Sequence, residues 1–91
     1  MTRVTFDPSK RDRTLEERGL DFVDAARVFA GDHLTFADDR QDYGEPRFIS
    51  IGRLAERMVV LVWTPRGEAR HVISMRKANE REQRRFEDRL G

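Results

Sequence analysis

The chain has 91 residues, of which 37% are hydrophobic and 38% are charged, and its formal net charge is +1. This length predicts one domain with a core of its own, and a net charge near zero does not by itself indicate nucleic-acid binding. The absence of cysteine excludes disulfides and thiolate metal sites. No apolar run approaches the roughly 20 residues of a membrane helix, and the N-terminus lacks the apolar region of a signal peptide, so we expect a cytoplasmic protein with no membrane contact.

The first third of the chain predicts a strand and two helices. Arg3-Val4-Thr5-Phe6 is β-prone and predicts an opening strand. Asp7 and Pro8 are typical of a helix N-cap and of the first helical position. This helix is expected to end at about Arg18, because Gly19 suits the left-handed conformation that follows a helix. Asp21 then caps a second predicted helix, whose buried face is marked by Phe22, Ala25, Ala26 and Phe29 at helical spacing.

The remaining chain predicts four strands and a final helix. Residues 33–38 alternate in polarity, as in a half-buried strand. A polar, acidic loop over residues 38–46 precedes three successive strands, expected at residues 47–53, 58–64 and 69–77. Asn79 begins the last helix, with Glu82 at capping-box spacing. The order β-α-α-β-β-β-β-α predicts an α+β domain, with its helices on one face of a mainly antiparallel sheet of four to five strands.

The last predicted strand carries several cations. Strict alternation divides it into two sets of side chains that face opposite ways: Arg70, Val72, Ser74 and Arg76, and against them His71, Ile73 and Met75. A guanidinium is a planar, permanent cation that bonds phosphate oxygens in pairs, so the first set fits a phosphate-binding face, which Arg47 would join if the register allows. The alternative is that these arginines protect an edge strand or pair with the acidic loop, and composition alone favours that alternative.

Few other residues are candidates for chemistry. His33 and His71 are the only histidines, and histidine is the side chain best suited to proton transfer near neutral pH. His71 would lie on the more apolar face of its strand, which is also typical of a core histidine. Glu45 is a candidate base and equally a candidate ion-pair partner of Arg47. No metal-binding motif, Gly-rich phosphate loop or Ser-His-Asp order is present, so we expect no metal and no cofactor.

Several short segments have the order and spacing of a known family. They are Phe6-Asp7-Pro8-Ser9-Lys10, Arg18-Gly19-Leu20-Asp21-Phe22, Gly44-Glu45-Pro46-Arg47-Phe48-Ile49, Val62-Trp63-Thr64-Pro65-Arg66-Gly67 and Arg70-His71-Val72-Ile73-Ser74-Met75-Arg76-Lys77-Ala78. Each segment is individually loose, but the ordered set covers nearly the whole chain. As a set they resemble the BrnT family, the toxins of bacterial type II toxin–antitoxin systems.

The resemblance implies a small RelE-like α+β fold, RNA cleavage that halts protein synthesis, and neutralisation by a BrnA-like antitoxin. Such an antitoxin is typically a ribbon-helix-helix protein, through which the pair binds operator DNA and represses its own operon. The positions that match the working residues of the family are Lys10, Glu45, Arg47, Arg53, Arg70 and Arg76. The chain departs from the family along the first predicted helix, where many members have Asn and then Lys-His-Gly in place of Thr14 and Glu17-Arg18-Gly19.

On this resemblance, the expected activity is that of a metal-independent endoribonuclease in which the 2′-hydroxyl attacks its own phosphate. Such a reaction needs a proton acceptor, a proton donor and cations beside the phosphate. The residues expected at the reacting phosphate are Arg47, Arg70 and Arg76, with Glu45 or His71 as base or acid. Further RNA phosphates are expected to contact Lys10, Arg53, Arg66 and Lys77. The alternatives are a non-catalytic module that binds protein or nucleic acid, and a degenerate toxin that acts as co-repressor with its antitoxin.

Overall fold

The computed structural model describes residues 3–90, which form a five-stranded sheet and three α-helices. The strands are β1 (Arg3–Phe6), β2 (His33–Ala37), β3 (Phe48–Leu54), β4 (Arg57–Arg66) and β5 (Ala69–Lys77). The helices are α1 (Pro8–Arg18), α2 (Ala25–Ala30) and α3 (Glu80–Phe86), and 3₁₀ turns cover Phe22–Asp24 and Glu87–Arg89. Within residues 3–90, no helix is long and apolar enough to cross a membrane. The expected α+β class is confirmed.

Helix α1 begins and ends where its capping residues predict. The side chain of Asp7 accepts a hydrogen bond from the backbone N–H of Ser9 at 2.9 Å, and Pro8 occupies the first helical position, where no hydrogen bond is lost. Gly19 ends the helix in the left-handed conformation, with φ 68°, and donates its backbone N–H to the carbonyl oxygen of Leu15. The predicted bounds of α1 are therefore confirmed.

The second helix is shorter than its apolar spacing predicts. The side chain of Asp21 accepts a hydrogen bond from the backbone N–H of Val23 at 3.0 Å, and this cap starts a 3₁₀ turn. The α-helical segment begins only at Ala25 and has six residues. Phe22 and Phe29 are nevertheless buried as expected. The spacing thus identified the buried face, although it did not distinguish a 3₁₀ turn from the first turn of an α-helix.

The sheet is mixed, because its first strand is parallel to its neighbour. The strand order is β1-β5-β4-β3-β2. β1 runs parallel to β5, with Thr5 opposite His71, and the other three pairings are antiparallel. A parallel pair needs a long connection, and here the whole chain from α1 to β4 lies between the two strands. The sheet is antiparallel over β2 to β5, as the prediction of a mainly antiparallel sheet has it, and the parallel pairing of β1 makes the whole sheet mixed.

Helices cover both faces of the sheet, which corrects the expectation that they share one face. The first 3₁₀ turn and α2 pack on one face, termed the α2 face, over a cluster that includes Val59 and Leu61 of β4. On the opposite face, termed the α3 face, Phe86 of α3 packs in a cluster with Ile51 and Val60. β4 is apolar at successive positions rather than at alternate ones, so both of its faces need cover.

A β-bulge interrupts the pairing of β4 with β5. Trp63 pairs with Val72, whereas the preceding residue, Val62, pairs with Ser74. Ile73 is therefore an extra residue on β5 with no partner in this register. One inserted residue reverses the direction in which all later side chains of the strand point, since the side-chain period of a strand is two.

The bulge places the two expected phosphate-binding arginines of β5 on opposite faces. Val72 and Met75, which strict alternation would separate, both belong to the cluster on the α2 face. Arg70 precedes the bulge and lies over aromatic rings on that face. Ser74 pairs with a residue of the α3 face, and Arg76 forms an ion pair with α3 at 2.8 Å. The expectation that Arg70, Val72, Ser74 and Arg76 share one face is therefore wrong.

The close approach of α2 to β3 depends on Gly52. A Cβ atom at this position would lie 2.7 Å from Cγ1 of Val28 and 3.1 Å from Cβ of His33. Because Val28 is fully buried and has a stiff side chain, Gly52→Ala should lower the free energy of unfolding by about 1–3 kcal/mol through overpacking. Gly31→Ala is the matched control, since its nearest neighbours lie 3.8 Å away, and should change that energy by less than about 0.5 kcal/mol. Urea unfolding followed by circular dichroism measures both, and equal losses would contradict this close approach.

Candidate active site

His71 lies on the α3 face of β5, outside the apolar cluster beneath α3. Thr5 lies opposite His71 in β1, and its Oγ1 shares a hydrogen bond of 2.9 Å with Nδ1 of the histidine. This bond fixes the orientation of the ring. When Nδ1 carries the proton and donates it to Thr5, Nε2 holds the free lone pair. Among residues 3–90, no hydrogen bond to Nε2 is formed.

The surroundings of His71 favour the neutral imidazole. Burial lowers the pKa of His71 below its usual value of 6.5, and the positive charges of Arg66 and Lys10 lower this pKa further. The negative charges of Glu45 and Asp7 raise the pKa but do not compensate. His71 is therefore mostly uncharged at neutral pH and has the protonation state of a general base.

The end of the acidic loop lies beside His71. Thr64 is fully buried and pairs with His71 across β4 and β5. Its hydroxyl donates a hydrogen bond of 2.6 Å to the carbonyl oxygen of Pro46, which fixes the backbone that follows Glu45. Nε of Arg47 lies 3.9 Å from a carboxylate oxygen of Glu45. Glu45 was predicted to be a base or acid, or an ion-pair partner of Arg47, and the structure places it near both Arg47 and His71.

Asp38, at the start of this loop, stabilises the loop itself. The side chain of Asp38 is 0% exposed, and its oxygens accept hydrogen bonds of 2.7 and 2.8 Å from the guanidinium of Arg40, which hold the pKa of Asp38 below its usual range. The backbone N–H of Asp38 donates to the carbonyl oxygen of Arg47 at 2.8 Å and closes the loop. The guanidinium carbon of Arg47 lies 4.0 Å from the centre of the Tyr43 ring. In residues 3–90, this loop forms no ion pair with the arginines of β5.

A cleft of about 540 Å³ opens beside His71 and has the size of a ligand site. β1, the end of β4 and the start of β5 form its walls. Its lining includes Arg3, Thr5, Arg66, Glu68, Ala69 and His71. Arg66 was expected in the turn after a shorter strand, but β4 continues through this residue, and pairing with Ala69 fixes its position. The cleft therefore combines a neutral imidazole with arginine side chains on a rigid sheet edge.

Arg70 lies on the opposite face of the sheet from His71. Its guanidinium carbon lies 4.4 Å from the centre of the Phe29 ring and 4.7 Å from that of Trp63. Its Nη1 is buried and has no hydrogen-bond partner within residues 3–90. Trp63 is held in turn by a hydrogen bond of 2.8 Å from its Nε1 to Oγ of Ser50. Arg70 is thus part of the aromatic packing between α2 and the sheet.

Three other predicted RNA ligands lie away from His71. Arg76 shares the α3 face with His71, but its guanidinium donates hydrogen bonds of 2.8 and 2.9 Å to both carboxylate oxygens of Glu82. These bonds lower the pKa of Glu82 and tie α3 to β5. Arg53 lies near the end of β3, and Lys77 ends β5. The structure does not bring Arg53, Arg76 or Lys77 into the cleft.

A groove of about 330 Å³ separates α1 from the free edge of β5. β1 ends opposite Val72, so the following residues of β5 border α1 instead of a strand. The lining includes Lys10, Arg13, Thr14, Glu17, Ile73 and Ser74. Nη1 of Arg18 donates a hydrogen bond of 2.9 Å to the carbonyl oxygen of Met75 and fixes the end of α1 to the strand. Lys10 lines this groove, and its charge also acts on His71, so the groove and the cleft are neighbours.

The sequence does not single out Thr5, Thr64 or Arg3 as site residues. Thr5 and His71 are 66 residues apart in the chain, and no local pattern reveals a parallel pairing over that distance. The sequence does contain a signal for Thr64. Its side chain carries a hydroxyl group in an otherwise apolar central strand, and a buried hydroxyl needs a hydrogen-bond partner. Thr64 thus indicates where the acidic loop is attached.

The site has the groups that an acid–base reaction on an anion requires. His71 can accept a proton, and the cations beside it can stabilise negative charge on a bound phosphate. Within residues 3–90, no three His, Asp or Glu side chains are arranged to hold a metal ion.

A family model described as the ribonuclease toxin BrnT of type II toxin–antitoxin systems matches residues 6–82. The matched segment contains His71, Arg66, Glu45 and all residues named above for the groove. Thr5 lies immediately before it, while Phe86 and Leu90, which complete the cluster beneath α3, lie after it. No curated protein matches the chain significantly.

The environment of Arg70 predicts different effects for two substitutions. Arg70→Met keeps an unbranched side chain beside the two rings and removes a buried N–H that has no partner, which offsets the lost cation–π contact. We expect its free energy of unfolding to stay within about 1 kcal/mol of the wild type. Arg70→Ala removes the packing as well and should cost about 2–3 kcal/mol. Chemical denaturation of both variants tests this, and a Met variant as unstable as the Ala variant would contradict it.

Proposed function

Because the chain belongs to the BrnT family of ribonuclease toxins of type II toxin–antitoxin systems, we propose that it is an endoribonuclease that cleaves RNA and thereby inhibits translation. The proposed reaction is metal-independent. The 2′-hydroxyl attacks the adjacent phosphorus, the bond from phosphorus to the 5′-oxygen breaks, and a 2′,3′-cyclic phosphate and a 5′-hydroxyl are formed. The observation that carries this proposal is the half-buried His71, which is oriented by Thr5 at a cleft lined by arginines.

In this reaction, Nε2 of His71 takes the proton from the attacking 2′-hydroxyl. When Nδ1 donates its proton to Oγ1 of Thr5, Nε2 is the nitrogen that is free to accept the proton of the 2′-hydroxyl. The ring becomes an imidazolium when it accepts the proton. The negative charge of Glu45 raises the pKa of His71, so it favours the imidazolium as it forms. Glu45 is thus proposed as the counter-charge of the base.

Cations on three elements are proposed to bind the reacting phosphate. Arg66 and Lys10 act electrostatically on His71 from β4 and α1, and Arg47 lies at the end of the acidic loop beside Glu45. Nε of Arg47 is buried and has no hydrogen-bond partner within residues 3–90, so a bound anion would relieve a desolvation cost. An ammonium group can release a proton, whereas a guanidinium cannot. Lys10 is therefore the proposed donor to the leaving 5′-oxygen.

We propose no chemical step for Arg70 or Arg76. The first lies against Phe29 and Trp63 on the α2 face, and the second is bonded to Glu82. Arg53 and Lys77 remain proposed phosphate contacts for RNA that extends beyond the cleft. The loss of cleavage in a stable Arg70→Met variant would restore Arg70 to the site.

The proposed partner is a BrnA-like antitoxin of the ribbon-helix-helix class, because a type II toxin is neutralised by a protein. Operator DNA would be bound only through that antitoxin, and the pair would act in the cytoplasm, where its RNA substrates are. A non-catalytic binding module, or a degenerate toxin retained as co-repressor, is the competing function. Either alternative would bind its partner and leave RNA intact.

Replacement of His71 tests the proposed activity directly. His71→Gln should reduce RNA cleavage by the purified protein about 100-fold or more, the usual contribution of a general base. His33→Gln is the matched control, because His33 bonds the carbonyl oxygen of Gly31 and packs on Phe29, away from the cleft. The wild type should cleave RNA at the same rate in EDTA and in magnesium. It should not cleave an oligomer at a nucleotide whose sugar lacks the 2′-hydroxyl. Expression should arrest growth for the wild type and His33→Gln but not for His71→Gln. RNA that the wild type leaves intact under all conditions would favour the competing function.

The pH profile of cleavage should report the charges around His71. As a base, His71 acts when neutral, so kcat/KM should rise with pH through a pKa below 6.5 and level off near pH 7. Arg66→Gln removes a charge that lowers this pKa, so the rising limb should move to higher pH. Glu45→Gln removes a charge that raises it, so the limb should move to lower pH. Rates measured across this range provide the test, and limbs that move in the same direction in both variants would contradict the assignment of His71.

A further inference from the structure

The groove between α1 and β5 has a composition that a phosphate track alone does not explain. Lys10, Arg13 and Glu17 recur at helical spacing on one side of α1 and line it together. The two cations suit an RNA backbone. Because a carboxylate beside these cations would repel phosphate, the position of Glu17 indicates a contact with some other chemical group.

The carboxylate of Glu17 is not paired with the cations around it. Arg13 is four residues before it on α1, at the spacing of a helical ion pair, yet Glu17 forms no ion pair with any residue from 3 to 90. Arg18, the next residue, is bonded to the carbonyl oxygen of Met75 instead. The carboxylate of Glu17 therefore presents two hydrogen-bond acceptors to the groove.

The groove also provides a surface for a flat, partly apolar group. Ile73, the extra residue of the β-bulge, is half-buried and forms part of the wall with Ser74. A volume of about 330 Å³ is at the lower end of the range for ligand sites, which suits a single base rather than a helix or strand of a partner. Proteins read single-stranded RNA by holding unstacked bases against side chains and bonding their edges.

The groove adjoins the proposed reaction centre. Lys10 lines it and also acts electrostatically on His71. Ser74 lies three residues after His71 on β5, or roughly 10 Å along the strand at about 3.3 Å per residue, and pairs with Val62 on the same face of the sheet. A strand of RNA with its phosphate at His71 would therefore place a neighbouring base at the groove.

We propose that this groove binds one base of the RNA substrate beside the cleaved bond, and that Glu17 selects guanine there. The assignment rests on the proposed ribonuclease function. Guanine alone has two adjacent N–H donors on its Watson–Crick edge, at N1 and N2, which match the two oxygens of a carboxylate. Adenine and cytosine place a lone pair beside their amino group, and uracil places carbonyl oxygens on both sides of its single N–H.

Glu17→Gln is the discriminating variant, because it keeps the size of the side chain but replaces one acceptor with a donor. Glu16→Gln removes the same charge from the adjacent residue of α1, which does not line the groove, and is the matched control. Both positions are exposed, so both variants should have the melting temperature of the wild type. The substrates are short RNA oligomers of one sequence in which each position around the cleaved bond carries G, A, C or U in turn.

The wild type and Glu16→Gln should prefer guanine at one position by tenfold to a hundredfold in kcat/KM, the range for one bidentate pair. Glu17→Gln should lose this preference, and its rates on the other three bases should stay within about twofold of those of Glu16→Gln, which removes the same charge. A wild type without base preference would overturn the proposal, as would a variant that keeps the preference or changes all four rates equally. A groove occupied by a protein partner would leave the RNA constants of Glu17→Gln unchanged, and that outcome would overturn the proposal as well.

Binding of 2′-O-methyl oligomers, which cannot be cleaved, separates this proposal from the proposed function. Fluorescence anisotropy should show the same guanine preference in dissociation constants, again lost in Glu17→Gln only. If the protein binds guanine preferentially but cleaves no RNA, the ribonuclease function is overturned and the base site stands. Cleavage without preference in either assay would overturn the base site and leave the ribonuclease.

Discussion

The parallel pairing of β1 with β5 is the constraint on which the candidate site depends. It places Thr5 opposite His71 and so fixes the imidazole ring that lines the cleft. It also ends at Phe6, so α1 must leave the sheet beside the unpaired part of β5, and Arg18 satisfies a carbonyl group that a further strand would otherwise bond. The cleft and the groove are thus the two consequences of one short strand that covers only half of its neighbour.

The two faces of the sheet divide packing from chemistry. On the α2 face, Trp63 is surrounded by Phe29 and Phe48 and donates a hydrogen bond to Ser50, which leaves little freedom for rearrangement. On the α3 face, the short helix covers only part of the sheet, and His71 lies outside the covered area. Arg70 belongs to the first face and His71 to the second, although they are adjacent in sequence. The bulge at Ile73 then returns Arg76 to the face of His71, but at the end of the strand that α3 occupies.

Local sequence signals predicted the elements of this fold, and long-range pairing limited what could be predicted of the site. Asp7, Gly19 and Asn79 define helix ends through contacts within a few residues, so their roles follow from residue type. The parallel partner of β1 and the bulge in β5 depend on packing across the whole chain. Each of them determines which side chains lie near His71. Without knowledge of the parallel pairing, nothing in the sequence identifies Thr5 as a neighbour of His71. Without knowledge of the bulge, strict alternation groups Arg70 and Arg76 on one face and places His71 with Ile73 and Met75.

The net charge of +1 conceals how the charges are distributed. Within residues 3–90, carboxylates at Asp21, Asp38 and Glu82 bond the guanidinium groups of Arg11, Arg40 and Arg76. These pairs stabilise the contact of α1 with the first 3₁₀ turn, the acidic loop and the contact of α3 with β5. Lys10, Arg13 and Arg66 form no such pair in this part of the chain, and they line the groove and the cleft. Cations that are not neutralised within the fold attract anions most strongly, so these three side chains make the groove and the cleft a surface that can attract RNA although the total charge is near zero.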